Sequence, residues 1–171
     1  MADIEMKCGD QVIPAHKAIV AARSTVFSAM LKNQVVQSSN ITVELKDIEP
    51  YVLRELLKYL YSGKISTDLS EDTLCKLYIA SNNYSVKSLQ KLCSSYMISN
   101  LNADNYIKFL ILADSHNIDP ELIEAIAGFI RKRPELLMSD IWITFSSEFP
   151  KLANEIYRIH MMNALKISSV K

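Results

Sequence analysis

Three glycines, Gly9, Gly63 and Gly128, are all that a chain of 171 residues contains. A loop that cradles a phosphate needs clustered glycines so that backbone N–H groups can approach the anion. No two of these lie close together in sequence, so nucleotide binding has no foothold. Cysteine is equally scarce: Cys8, Cys75 and Cys93 are odd in number, and no pair sits at a zinc-ligand interval. They read as buried reduced thiols of a nuclear or cytoplasmic protein. No apolar run approaches the roughly 20 residues that cross a bilayer, and the N-terminus lacks signal-peptide anatomy. Nor is one sign of charge in excess: 19 basic residues balance 19 acidic ones. Nucleic-acid binding usually leaves a basic footprint. The densest basic cluster, Arg131-Lys132-Arg133, is ordinary at a helix end. Neither nucleic acid nor membrane is expected as a partner.

What is present supports a core. Apolar residues make up 49% of the chain and charged residues 22%, outside the disordered range. The length fits one domain, or one domain with a helical appendage. Asp3 to Cys8 alternates apolar and polar, the period of a half-buried strand. Gly9-Asp10 supplies a turn, Gln11 to Ile13 starts a return strand, and Pro14 is expected to end it, since proline cannot donate to a ladder. Two short helices follow, His16 to Arg23 and Ser24 to about Lys32, with Ser24 as the N-cap of the second. Ile41, Val43 and Leu45 alternate as a third strand. Asp47 and Pro50 announce a helix striped by Leu53, Leu56, Leu57 and Leu60 and closed by Gly63.

Helices dominate thereafter. Ser70 caps one with Leu74, Leu77, Tyr78 and Ser81 on its inner face. Ser85 is expected to cap the next, Asn102 and Asp119-Pro120-Glu121 begin two more, and Pro134 and Pro150 start the last pair, running to about Leu165. No internal repeat is clear enough for a solenoid. Strands with short helices first, then helices alone, predict an α+β fold: a small three-stranded sheet capped by helices, followed by an all-helical extension.

Candidate chemistry is thin. No Gly-x-Ser-x-Gly elbow occurs. Asp114, Ser115 and His116 adjoin, but helix neighbours point about 100° apart and cannot converge as a triad. His16, His116 and His160 have no His or Cys partner at helical ligand spacing. Glu71-Asp72 sits at a helix start, where the macrodipole favours acids. No catalytic residue, metal ligand or cofactor is expected, and the chain reads as an interaction module rather than an enzyme. Two features stay open. His16 either hydrogen-bonds back to the first strand, with Asp3 as a candidate partner, or is an ordinary helix-start histidine. Val35-Val36 lies in the otherwise polar stretch from Lys32 to Asn40 and either tucks onto the core or waits for a partner.

At this point the residues resemble a known family. Asp3, then Pro14-Ala15-His16-Lys17-Ala18-Ile19-Val20-Ala21-Ala22-Arg23-Ser24, then Val26-Phe27 and Met30, resemble the BTB/POZ domain signature. Asp47-Ile48-Glu49-Pro50 followed by Leu56-Leu57-Lys58-Tyr59-Leu60-Tyr61-Ser62-Gly63 is similar to that family's later core helix. Leu110-Ile111-Leu112-Ala113-Asp114-Ser115-His116, Trp142, and Pro150-Lys151-Leu152-Ala153-Asn154-Glu155-Ile156-Tyr157 look like the helical tail of speckle-type POZ proteins. The resemblance implies a BTB/POZ domain over residues 1–99 and a BACK-like helical tail over 100–171.

The implied function is that of an adaptor without its own active site, the BTB subunit of a cullin-3 RING ubiquitin ligase. In such proteins the BTB domain self-associates and grips the cullin, the tail extends that contact and builds higher oligomers, and a MATH domain ahead of the BTB domain selects the substrate. Carried onto this sequence, the resemblance assigns binding of the cullin-3 N-terminal domain to Leu31, Val35, Val36, Gln37, Asn82 and Tyr84, and homo- or hetero-oligomerisation to Ile19 and Tyr157. The chain departs from the pattern in several places. No MATH-like segment and no dimer-sealing helix precede the first strand, leaving Ile19 without its usual helical partners and the substrate partner unspecified. Ser168 to Lys171 lacks the basic tail of relatives. Val35-Val36-Gln37 keeps an apolar knob but replaces the usual glutamate, and Asn82 stands where relatives often carry an acid. A buried valine anchor contributes about 1.5–3 kcal/mol, while exchanging a charge-assisted hydrogen bond for a neutral one costs about 1–2 kcal/mol, near tenfold in affinity. Weakened cullin binding is the expectation. The alternative is a non-ligase oligomerisation scaffold that competes with full-length relatives.

Overall fold

The structure, a computed structural model, describes residues 2–33, 41–115 and 119–168. Two strands, β1 (Ile4–Cys8) and β2 (Gln11–Ala15), form the hairpin, with Ile4 opposite Ala15 and Cys8 opposite Gln11. Gly9 turns the chain at φ 56°, a left-handed value that glycine tolerates. Strand β3 (Ile41–Leu45) lies on the other side of β1, giving the order β2-β1-β3. It runs parallel to β1, with Ile4 beside Ile41 and Cys8 beside Leu45. A parallel neighbour needs a crossover. Helices α1 (Lys17–Arg23) and α2 (Thr25–Asn33) lie within that connection. Ile4, Met6, Cys8, Ile13, Ala15, Val43 and Leu45 all point into the core.

One expectation fails in this sheet. Pro14 does not end β2; it sits inside the strand opposite Glu5. β2 is an edge strand, so no ladder hydrogen bond is forfeited on its open side.

Ser24 does cap α2: its Oγ accepts from the Phe27 N–H at 3.0 Å. Helix α3 (Pro50–Ser62) buries Val52, Leu53, Leu56, Leu57 and Leu60 and ends on Gly63 at φ 71°. Helix α4 (Glu71–Asn83) starts on Ser70, whose Oγ accepts from the Thr73 N–H.

Ser85 departs from its expected role. It does not cap α5 (Lys87–Ser99) but closes α4. Its N–H donates to the Asn82 carbonyl at 3.0 Å, and the next N–H, of Val86, donates to the Ser81 carbonyl at 2.7 Å. That is the Schellman closure, which requires a left-handed residue, and Ser85 supplies it at φ 53°. The Val86 carbonyl then accepts from Leu89 and Gln90 and starts α5. A side chain at positive φ costs about 1 kcal/mol. Ser85→Gly is therefore expected to raise stability by about that amount, read as a higher urea midpoint at unchanged slope.

The chain divides into two compact units, Met1–Cys93 and Ser94–Lys171, the boundary falling within α5. The second unit contains α6 (Tyr106–Ser115), α7 (Pro120–Arg131), a 3-10 turn (Pro134–Met138), α8 (Asp140–Glu148) and α9 (Pro150–Ser168). Asn102 Oδ1 accepts from the N–H groups of Asp104 and Asn105 just ahead of α6. Asp119 Oδ1 accepts from the Leu122 N–H at the start of α7, and its Oδ2 accepts from Ser94 Oγ.

Pro134 opens only the short 3-10 turn. The helix expected there begins at Asp140, where Ser139 Oγ accepts from the Trp142 N–H. Trp142 is the centre of this unit. Its ring packs against Phe145 at 5.1 Å, Tyr157 at 5.6 Å and Tyr106 at 6.5 Å between centroids. Its Nε1–H donates to the Tyr157 hydroxyl at 2.7 Å. Among the described residues no helix is long and apolar enough to cross a membrane.

Candidate functional site

Tyr84 ties three segments of the N-terminal unit together. It follows α4, and its ring stacks on Phe27 of α2 at 4.5 Å and 16°. Its carbonyl accepts from Ser24 Oγ at 2.6 Å, so the side chain that caps α2 also holds the α4–α5 turn. Its hydroxyl donates to Asp47 Oδ1 at 2.6 Å in the β3–α3 connection. Burial, then the bond to Asp47 and that carboxylate's charge, push the phenol well above its ordinary value. A groove beside this pin is lined by small residues of α1 and α2, Ala21, Ala22, Ser28 and Ala29, with Lys32 and Ser85 at its margin. The end of α2 therefore lies beside the Asn82–Ser85 turn.

The residues assigned to cullin binding fall into three groups. Asn82 is half-buried near the end of α4. Leu31 and Tyr84 are only 2% and 1% exposed. Each packs into the apolar core of the N-terminal unit. Val35, Val36 and Gln37 lie outside the described residues. Of the self-association pair, Ile19 is half-buried on α1 and Tyr157 is 38% exposed while its hydroxyl accepts from Trp142. These two residues fall in different units.

The His16 question resolves in favour of neither reading. Asp3 Oδ1 accepts from the Lys17 N–H at 2.7 Å and so serves the start of α1. The partner of His16 is Tyr61 of α3, whose hydroxyl lies 2.8 Å from both the His16 N–H and Nδ1. Nothing in the local sequence marks that pairing, because 45 positions separate the two residues.

Asp72 also does more than sit at a helix start. Lys76 Nζ meets Asp72 at 3.0 Å, Glu49 at 2.9 Å and the Tyr51 hydroxyl at 2.7 Å. The Tyr51 bond first, then Glu49 and Asp72, hold the ammonium above the usual lysine range, while Lys76 first and Tyr51 next hold Glu49 below the usual carboxylate range. The i, i+4 spacing of Asp72 and Lys76 was visible in sequence; the arrival of Glu49 and Tyr51 was not. The cluster borders a depression lined by Lys46, Asp47, Val52 and Ile79. All members are solvent-facing, where ion pairs contribute little to stability.

All three cysteines are buried, and none is in a disulfide. Cys8 Sγ–H donates to the Ile48 carbonyl at 2.7 Å. Burial pushes the Cys93 thiol up to about 12. The thiolate is the reactive form, so none of the three is expected to react with a thiol-exchange reagent at pH 7.5 until the chain unfolds, when all three should react; stopped-flow absorbance checks this. Among the described residues no group of three or more His, Cys, Asp or Glu is placed to hold a metal ion.

The fold is a three-stranded mixed sheet wrapped by short helices, with helix α2, the α4–α5 turn and the β3–α3 connection pinned at one tyrosine. The BTB/POZ domain family model matches residues 1–101. This chain belongs to the BTB/POZ domain family, with its BTB fold followed by a helical C-terminal region. It is 30% identical over 157 residues to a BTB/POZ domain-containing protein of Arabidopsis thaliana, covering 92% of this chain and 64% of that protein. A second Arabidopsis thaliana BTB/POZ domain-containing protein is 32% identical over 165 residues, covering 94% and 58%. TD and POZ domain-containing protein 4 of Mus musculus is 30% identical over 143 residues, covering 84% and 39%. The chain thus spans between 39% and 64% of the length of these relatives.

Proposed function

We propose that this chain is the BTB subunit of a cullin-3 RING ubiquitin ligase: a non-catalytic adaptor of the nucleus or cytoplasm that self-associates and binds the cullin N-terminal domain. In this reading residues 1–99 form the BTB/POZ domain and 100–171 a BACK-like tail that extends the contact. One observation supports it within the family: Tyr84, two residues beyond Asn82, fixes the end of α4 against α2. In this reading Leu31, Val35, Val36, Gln37, Asn82 and Tyr84 form the cullin-binding set, and Ile19 and Tyr157 serve self-association. Calorimetric titration with the cullin-3 N-terminal domain tests the reading. Binding that weakens when Val36 is replaced by aspartate supports it, and the absence of heat with both partners at tens of micromolar overturns it.

Gln37 and Asn82 are neutral where relatives favour acids, which supports a second reading: a BTB scaffold that assembles with full-length relatives without engaging the cullin. Mixing with such a relative separates the two. A mixed oligomer of defined mass that forms while the cullin titration stays silent favours the scaffold; no mixed oligomer and unchanged ubiquitination exclude it.

A further inference from the structure

The C-terminal unit carries an apolar groove that neither reading above uses. Ile107 and Ile111 of α6 form one wall, and Ile141, Phe145 and Phe149, at or just beyond α8, form the other. The phenyl rings of Phe145 and Phe149 stack at 5.5 Å and continue the surface. Ile141 is 55% exposed, an unusual degree for an isoleucine in a concave wall.

A carboxylate stands at each end of the lane. Asp140 opens α8 and Glu148 closes it, both lining the groove, and neither has a side-chain ion pair among the described residues. Asp140 is where the helix dipole welcomes an acid. Glu148 is the last residue of α8, where the negative end of the dipole opposes one. An unfavourable acid kept at the rim of an apolar groove gains if a cation arrives there. Eight residues of helix separate the two by about 12 Å, a little over two turns.

We propose that this groove docks an amphipathic helix of a partner protein, one that lays a two-turn apolar stripe between the walls and sets a lysine or arginine at each end, against Asp140 and Glu148. The apolar stripe supplies contact area, and the paired cations fix its register and exclude acidic or neutral helices.

The full chain tests this with a designed probe. A fluorescein-labelled, end-capped helical peptide carries leucines at i, i+3, i+4 and i+7, flanked by arginines at i−1 and i+8. Its control carries glutamates at the flanks. Fluorescence polarisation should show saturable binding of the arginine peptide and at least tenfold weaker binding of the control. In the doubly reversed chain, Asp140→Lys with Glu148→Lys, the preference should invert. Ile141→Asp, an exposed position, should abolish both while the circular dichroism spectrum is retained. Equal affinity for the two peptides, or no inversion on charge reversal, overturns the proposal. So does sedimentation showing that the wild-type chain already self-associates through this face and that Ile141→Asp dissociates it, because the occupant is then a second copy.

Discussion

Replacing Tyr84 with alanine is expected to lower the stability of the N-terminal unit by about 3–5 kcal/mol, the range for deleting a large buried aromatic ring. The ring lost is 1% exposed and stacked on Phe27. The hydroxyl lost leaves the Asp47 carboxylate without its 2.6 Å donor. Tyr84→Phe separates the two effects, since it keeps the ring and removes only the donor; it should cost about 1–3 kcal/mol. Urea unfolding followed by circular dichroism measures both. Under the proposed adaptor reading the same pair probes function: Tyr84→Phe should weaken binding of the cullin domain while the fold remains intact at pH 7, because the end of α4 loses its tether to the β3–α3 connection.

The phenol also sets an alkaline limit. Its folded value is raised above the ordinary 10.0. Above about pH 10 the unfolded chain releases this proton while the native chain retains it, so the native state binds more protons and stability falls as pH rises. The contribution is fully present below that pH and disappears as the folded group finally ionises. Stability curves at pH 9 and pH 11 should therefore diverge less in Tyr84→Phe than in the wild type. Cys93 acts in the same direction between its ordinary 9.0 and about 12, so it is common to both proteins and cancels in the comparison.

Trp142→Ala is the second large effect, again about 3–5 kcal/mol, and it falls on the C-terminal unit. The indole is 1% exposed and contacts Tyr106, Phe145 and Tyr157. Trp142→Phe should recover part of the packing but not the hydrogen bond to Tyr157. Because Trp142 is the only tryptophan, unfolding of this unit in the wild type is followed by its fluorescence. Tyr157→Phe provides the milder comparison: it strands a buried indole N–H and should lower the midpoint with little change in slope. A Trp142→Ala chain that unfolds at the wild-type midpoint by near-ultraviolet circular dichroism would refute the assigned role of the indole.

Much of this architecture was readable from local chemistry. The alternation in Ile4, Met6 and Cys8 and the leucine stripe of α3 reflect periods of two and 3.6 that any burial on one side imposes. Ser24, Ser70 and Asp119 are caps because a short side-chain oxygen satisfies an N–H that the helix cannot. Where reading failed, a second partner decided. Pro14 remains in a strand because its neighbour lies on one side only. Ser85 is an end rather than a beginning because Val86 donates back to Ser81. Pro134 opens a 3-10 turn, and the following helix waits for Ser139.

The candidate site was legible as an ordered set of motifs but not as a surface. Leu31 and Tyr84 carry the family pattern, and their burial was not readable from it, because which side of a residue faces solvent depends on chain that arrives from elsewhere. Asp3, His16 and Tyr61 illustrate the same point: the histidine was marked by its place at a helix start, and its partner came from α3.

By itself the sequence determined the family, the succession of strands and helices, most helix caps and the apolar faces, because each depends on residues within a few positions of one another. Only the tertiary structure decided the parallel placement of β3 beside β1, the tyrosine pin joining α2, the α4–α5 turn and the β3–α3 connection, and the acid-ended groove between α6 and α8. Those features join residues separated by tens of positions, and hydrogen bonding and burial select such partners by distance in space, which local periodicity does not encode.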